Sequence, residues 1–362
     1  MNTHPPLQFD SALIAPRYGA RFPRSIQLNE LAQGERTQVF QKIQTGKYKT
    51  IDRPCRICDG VKFEVLAEHD RYALPIQTTI CKGCGLVQTN PAFRQEDYID
   101  FYQQHYRQLY LADLVGEPKD LYQEEVWRGQ KILRFLKKRI ELPSKSLVLE
   151  VGCGAGGILH AFRDRRFRVM GTDYGVENMN YGRSTGIDIR EGDIFSLSLT
   201  ERPHLIIYSH VLEHVLDLNS ELQKIRELLA PGGYLYIEVP GIRAVRVNAS
   251  HVDFMQSFHL AHIYNFTLNT LTTLLRKNGF ELLSGDEHIR SVFKISAATR
   301  STACDYSETK KYMQNTERFQ EIYRYVFRFR VLGRSVVDKL QSAGIFVLKK
   351  AGLYSWARRV LT

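Results

Sequence analysis

Three observations predict an α/β fold built around a largely parallel sheet. After Pro143, short apolar runs at Leu147 to Val151, Arg168 to Asp173, His204 to Ser209 and Tyr234 to Val239 alternate with helix-like stretches, the order expected of strands joined by crossover helices. The first run opens directly into a glycine-rich turn, Gly152-Cys-Gly-Ala-Gly-Gly157. Well before it, Cys55, Cys58, Cys81 and Cys84 stand in two close pairs, the mark of a separate small module.

In chain order, residues 1–50 are rich in Pro, Gln, Arg and Thr and read as an irregular leader with one short helix near Gln27 to Phe40. Residues 51–94 hold the cysteine module. Residues 95–142 repeat aromatic and charged residues at helical spacing and read as a helical connector or lid. Residues 143–300 form the core: the four runs above, a strand before Glu191-Gly-Asp193, and two more at Phe280 to His288 and Val292 to Ala298. Residues 301–362 read as a basic helical tail. A chain of 362 residues with 43% hydrophobic and 25% charged residues is expected to be soluble and folded in more than one unit.

No apolar stretch approaches the ~20 residues that a bilayer-spanning helix needs, and Met1 to Asp10 lacks the basic-then-apolar order of a signal peptide. A cytoplasmic location is the resulting expectation. The net charge of +11 is concentrated in the tail, where twelve Lys or Arg face five Asp or Glu. Such a tail suits an anionic membrane surface, nucleic acid or an acidic substrate, and equally a solvated helix face.

The glycine turn by itself fits two cofactors. Gly152, Gly154 and Gly157 match the dinucleotide fingerprint, with Asp173 at about the distance of a ribose-binding acid. Glu150 separates the alternatives, because a carboxylate just before the first glycine repels a pyrophosphate but suits the ammonium end of a methionine moiety. A second acid, Asp193, is placed to accept from an adenine amino group, with Ile194 covering the ring.

The order Glu150-x-Gly-x-Gly-x-Gly, Gly-Thr-Asp173, Gly-Asp193-Ile, His210-Val-Leu-Glu-His-Val and Leu-Ala-Pro-Gly-Gly-Tyr-Leu-Tyr-Ile-Glu-Val-Pro resembles the class I S-adenosylmethionine-dependent methyltransferases. The resemblance covers residues 143–300. It implies a Rossmann-like seven-stranded methyltransferase core with S-adenosylmethionine contacted by Glu150, Gly152, Gly154, Asp173, Asp193 and Ile194, and with Ser209 and His210 on the wall beside the sulfonium.

Cys55-Arg-Ile-Cys58 and Cys81-Lys-Gly-Cys84 supply four thiolates in two knuckles, the usual set for one tetrahedral structural zinc. Four protein ligands leave no open position for substrate, so the metal is expected to hold the module together. Ahead of such a core, this arrangement resembles the amino-terminal zinc module of bacterial sugar methyltransferases. Zinc knuckles also occur in RNA methyltransferases.

Methyl transfer gains most from alignment and, for a hydroxyl acceptor, from its deprotonation. His251, Asp253, His259 and His262 follow the fifth strand. His262 resembles the acid-base histidine of C-methylating sugar enzymes, whose neighbouring glutamate is Ala261 here, and His259 is a second candidate. Glu213 and His214 read as packing or capping residues on the helix after the fourth strand, and Tyr102, His105, Tyr106 and Tyr110 as one helical stripe, either a lid or plain packing.

The expected activity is methylation of a sugar, at a hydroxyl of a nucleotide- or lipid-linked saccharide in surface polysaccharide or secondary-metabolite biosynthesis. The tail would bring peripheral membrane contact. C-methylation of a keto-deoxysugar, RNA methylation and a binding protein without turnover are the alternatives. Against nucleic acid, Tyr208-Ser-His-Val stands where methyltransferases of flipped bases carry Asn/Asp-Pro-Pro-Tyr/Phe.

Overall fold

A computed structural model describes residues 5–21, 26–110, 117–245, 253–299 and 305–326, the last stretch with side chains to residue 320. His251 and the tail beyond residue 326 lie outside the described residues.

The leader is more ordered than its composition suggests. Strand β1 (Gln8–Ser11) is followed by helix α1 (Glu30–Gln44), which starts where the Asn29 side chain accepts the Ala32 amide at 2.8 Å. The cysteine module contains β2 (Thr50–Ile51), β3 (Lys62–Ala67), β4 (Thr78–Cys81), β5 (Val87–Thr89) and β6 (Ala92–Phe93). β1 pairs in parallel with β3, so the leader supplies an edge to the module. The connector comprises α2 (Gln95–Gln104), α3 (Tyr106–Tyr110) and α4 (Pro118–Leu136). Helical spacing predicts one continuous aromatic stripe, but the helix breaks at His105, whose Nδ1 lies 2.7 Å from Glu35 of α1.

The central sheet follows: β7 (Leu147–Val151), α5 (Gly157–Arg163), β8 (Arg168–Asp173), α6 (Val176–Ser184), β9 (Asp188–Glu191), β10 (Leu205–Ser209), α7 (Leu218–Leu228) and β11 (Tyr234–Glu238). A two-residue strand β12 (Tyr264–Asn265), helix α8 (Leu268–Lys277), then β13 (Phe280–Gly285), β14 (Arg290–Ile295) and α9 (Tyr306–Val326) complete the described elements. Seven strands lie in the order β13-β14-β11-β10-β7-β8-β9, all running the same way except β14, which is antiparallel to both β11 and β13. The alternation of runs predicts a parallel sheet; the reversed β14 makes it a mixed one. β7 and β10 are buried along their whole length, which is why they read as unbroken apolar runs.

Two features of this topology position a site. The chain runs outward from β7 to β8 and β9, then returns to place β10 on the other side of β7; ligands of open α/β sheets bind beyond the strand ends at such a switch point. In addition, β12 pairs not with the central sheet but with β5, closing a second sheet of order β1-β3-β4-β5-β12. The segment that carries His259 and His262 thereby leads directly into the last strand of the cysteine module's sheet. Among the described residues no helix is long and apolar enough to cross a membrane.

Candidate functional site

The glycine turn leaves β7 at the switch point. Gly152 and Gly154 have φ of +67° and +56°, a left-handed backbone that glycine adopts without a Cβ clash. The Gly154 amide donates to Asp173 Oδ2 at 2.8 Å and the Gly175 amide to Oδ1 at 2.7 Å, so Asp173 at the end of β8 locks the turn. Asp193 caps the following turn, accepting from the amides of Phe195 and Ser196, and takes the Tyr174 hydroxyl at 3.1 Å. Ile194 beside it is fully buried.

A residue outside the predicted set completes this pocket. α4 buries Tyr122, Glu125, Gly129, Ile132 and Leu136 on one face, and Gly129 lets that face approach α5, since a Cβ there would stand 2.7 Å from the Ile158 carbonyl oxygen. Glu125 is carried onto the start of α5, where its Oε2 accepts the Gly157 amide at 2.9 Å. Burial pushes its carboxyl up to about 7 against the pull of that amide. Glu150, also buried, has an Oε2 without a hydrogen-bond partner; burial, then the nearby Glu125, raise it well above the usual carboxylate range. At the end of β10, Ser209 Oγ is buried and unpartnered, and His210 is held at φ +58° with its amide bonded to the Glu238 carbonyl at 2.7 Å.

Next to this pocket the structure gathers three histidines, His210, His214 and His262, around one acid, Glu213. Glu213 and His214 lie in a short 3₁₀ turn, Leu212–His214, not on the helix α7. That turn aims Glu213 inward, and the carboxylate is 1% exposed. Its Oε1 lies 3.6 Å from His210 Nδ1, 3.9 Å from His214 Nε2 and 3.9 Å from His262 Nε2. Burial would raise its pKa, but the imidazoles of His210, His214 and His262 hold it at about 2. The packing role expected from the sequence is therefore incomplete: Glu213 is the electrostatic centre of the cluster.

His259 stacks on His262 with ring centroids 3.6 Å apart, and burial pushes both well below the ordinary histidine value. Their backbone is clamped on two sides: the Thr89 amide of β5 donates to the Ile263 carbonyl at 2.8 Å, and the Ile263 amide donates to the Glu213 carbonyl at 2.9 Å. Tyr102, Tyr106 and Tyr110 stack in sequence, 5.0 and 5.1 Å between centroids, against His214 and His259. They form an aromatic wall, from which His105 is turned away.

In the cysteine module, Cys55 and Cys84 Sγ stand 3.4 Å apart and Cys58 and Cys81 Sγ 3.5 Å apart, all four within 4.8 Å of one another. Thiolates about 2.3 Å from a tetrahedral zinc are separated by roughly 3.8 Å, so the cluster has the size and donor set for such an ion.

Residues 120–284 match the family model described as a methyltransferase domain. This segment is an S-adenosylmethionine-dependent methyltransferase domain. The match begins in α4, the helix that brings Glu125 to the glycine turn. The methyltransferase domain and its surroundings are similar to C-methyltransferase NovU of Streptomyces niveus, 24% identical across 67% of this chain and 60% of that protein. They are also similar to a ubiquinone biosynthesis O-methyltransferase of Colwellia psychrerythraea, 28% identical across 41% of this chain and 65% of that protein. The chain thus spans less than two thirds of the length of these relatives. Among solved structures, the CcbJ methyltransferase of Streptomyces caelestis matches 47% of this chain and 90% of its own at 17% identity, with a TM-score of 0.37.

Proposed function

We propose that this protein transfers the methyl group of S-adenosylmethionine to a hydroxyl of a sugar carried on a nucleotide or a lipid, in the assembly of a surface polysaccharide or secondary metabolite. One observation carries the cofactor assignment: the amide at the start of α5, which in a dinucleotide site receives pyrophosphate, is taken by the Glu125 carboxylate. With Glu150 buried alongside, the turn offers carboxyl oxygens in place of that amide, which suits an ammonium group better than a phosphate.

When bound, the cofactor supplies a methyl group already activated on a sulfonium. Glu150 with the turn Gly152 and Gly154 would hold its amino-acid end, Asp173 its ribose, Asp193 and Ile194 its adenine, and Ser209 and His210 would line the wall beside the sulfur. The four cysteines would hold a structural zinc. For the acceptor, His262 and His259 are neutral imidazoles stacked in a buried cage, suited to take a hydroxyl proton as the oxygen attacks. The tail's charge suits an anionic membrane on which lipid-linked saccharides are built.

C-methylation of a keto sugar is the second reading, favoured by the similarity to NovU, a relative named for C-methylation. Ala261 weighs against it, because the acid paired with the histidine of C-methylating enzymes is missing. The test is incubation of the full chain with S-adenosylmethionine and a panel of nucleotide sugars. Mass spectrometry should find a sugar that has gained one methyl group, and NMR should place it on oxygen. Failure to bind S-adenosylmethionine would overturn the enzyme assignment, and methylation of bulk RNA instead of any sugar would overturn the acceptor.

A further inference from the structure

We propose that Glu213, His214 and His262 form a binding site for one divalent metal ion, distinct from the cysteine module, whose open position receives the acceptor's oxygen. The part that concerns the acceptor rests on the function proposed above; the metal site does not.

Glu213 is almost fully buried and neither carboxylate oxygen has a hydrogen-bond partner. Leaving a buried charge unpaired is strongly destabilising, and the three nearest imidazole nitrogens stand at 3.6 to 3.9 Å, beyond hydrogen-bond range.

His214 Nδ1 lies 2.8 Å from the Ala261 carbonyl oxygen, which can only accept, so Nδ1 carries hydrogen. Tyr102 donates its own hydrogen to the same carbonyl at 3.1 Å and braces the ring. In the neutral ring, His214 Nε2 is then a lone pair directed at a carboxylate. His262 presents its Nε2 to the same oxygen at 3.9 Å. Lone pairs that converge on one point repel unless a cation stands between them.

The geometry suits one. Glu213 Oε1 stands 3.9 Å from each Nε2, and the three ligand atoms lie within 4.8 Å of one another; ligands about 2.1 Å from an ion stand roughly 3.4 to 3.6 Å apart, so side-chain shifts of about 1 Å or less close the set. A histidine whose far N–H is fixed by a backbone carbonyl is the usual support of a metal ligand. Two imidazoles and one carboxylate form a three-ligand set that leaves a position open.

An acceptor hydroxyl in that position has its O–H bond weakened by the ion. The proton passes to His259, which is free of the metal and buried beside His262, with Nδ1 unpartnered. The oxygen forms its bond to the methyl carbon as the carbon–sulfur bond breaks, giving a methyl ether and S-adenosylhomocysteine. A sugar with two adjacent oxygens would chelate the ion, which selects for a diol or ketol acceptor.

The test uses the full chain, zinc-replete by elemental analysis, titrated with Mn2+ and separately with Co2+ in the absence of cofactor and sugar. Loss of the free Mn2+ electron paramagnetic resonance signal should report one saturable site per chain. Glu213→Gln and His214→Gln should each weaken it by at least about tenfold, with zinc content unchanged; should one variant fail to fold by circular dichroism, the other decides. Absence of saturable binding of both ions, or affinity unchanged in the folded variant, would overturn the proposal. Because no acceptor is present, failure to methylate a sugar would leave this result standing.

Discussion

Glu125 Oε2 accepts the Gly157 amide at 2.9 Å, across 32 residues of sequence. This bond places a carboxylate where the first turn of α5 would otherwise offer its amides to an anion. It also places Glu125 beside Glu150 and Asp173, so that three acids converge on the turn that leaves β7. The turn thus presents carboxyl oxygens, and not the Gly157 amide, to whatever binds beyond β7.

The burial of the same carboxyl has a measurable signature in stability. The Glu125 carboxyl sits at about 7 against an ordinary 4.5, so the folded state holds a proton that the unfolded chain releases. Its contribution is fully present below pH 4.5 and is lost as the pH rises through 7, a change of about 3 kcal/mol. Glu125→Gln in the absence of cofactor should remove this component. The stability difference between variant and parent should therefore shift in the variant's favour from pH 5 to pH 8, read by chemical denaturation at each pH. A difference that stays constant across that range would contradict the assigned burial.

Asp173 offers a second test, since it both holds the turn through Gly154 and Gly175 and is the acid placed for the ribose. Asp173→Ala should reduce affinity for S-adenosylmethionine by about a hundredfold or more, as two charge-assisted bonds and the turn geometry are lost together. Zinc content should be unchanged, because the cysteines lie in another sheet. Calorimetric titration with parallel elemental analysis checks both.

Much of this was legible in the sequence, and the limits have physical causes. β7 and β10 announce themselves because each is buried along its whole length, and Glu150, the glycines and Asp173 are legible because a strand end and its turn are contiguous in the chain. Glu125 is not, because it reaches the turn through helix packing; its one trace is an acid at a buried position between Tyr122 and Gly129. Glu213 reads as a helix residue, and only the 3₁₀ geometry of its turn directs it inward. β1 escapes notice because Gln8–Ser11 is polar and mostly exposed, and β12 because two residues carry no period.

His259 separates the roles within the cage. It stacks on His262 but does not face Glu213, so His259→Gln should leave cofactor affinity within about twofold and lower kcat by about a hundredfold, the usual size of a general-base contribution. Single-turnover rates on the methylated sugar would measure it. An unimpaired rate would return His259 to a packing role.

The cysteine module should govern the acceptor more than the cofactor. β5 pairs with β12, and the Thr89 amide holds the Ile263 carbonyl immediately after His262, whereas the glycine turn belongs to the central sheet. Loss of the proposed zinc would release Cys81 at the end of β4 and Cys84 ahead of β5, and the disturbance would travel along β5 into the histidine segment. Cys81→Ser should therefore lose zinc and raise KM for the sugar by about tenfold or more. Affinity for S-adenosylmethionine should change by less than about threefold, because none of its proposed contacts lies on the module's sheet. Equal losses of both affinities would show that the module supports the whole protein and not the acceptor side of the site.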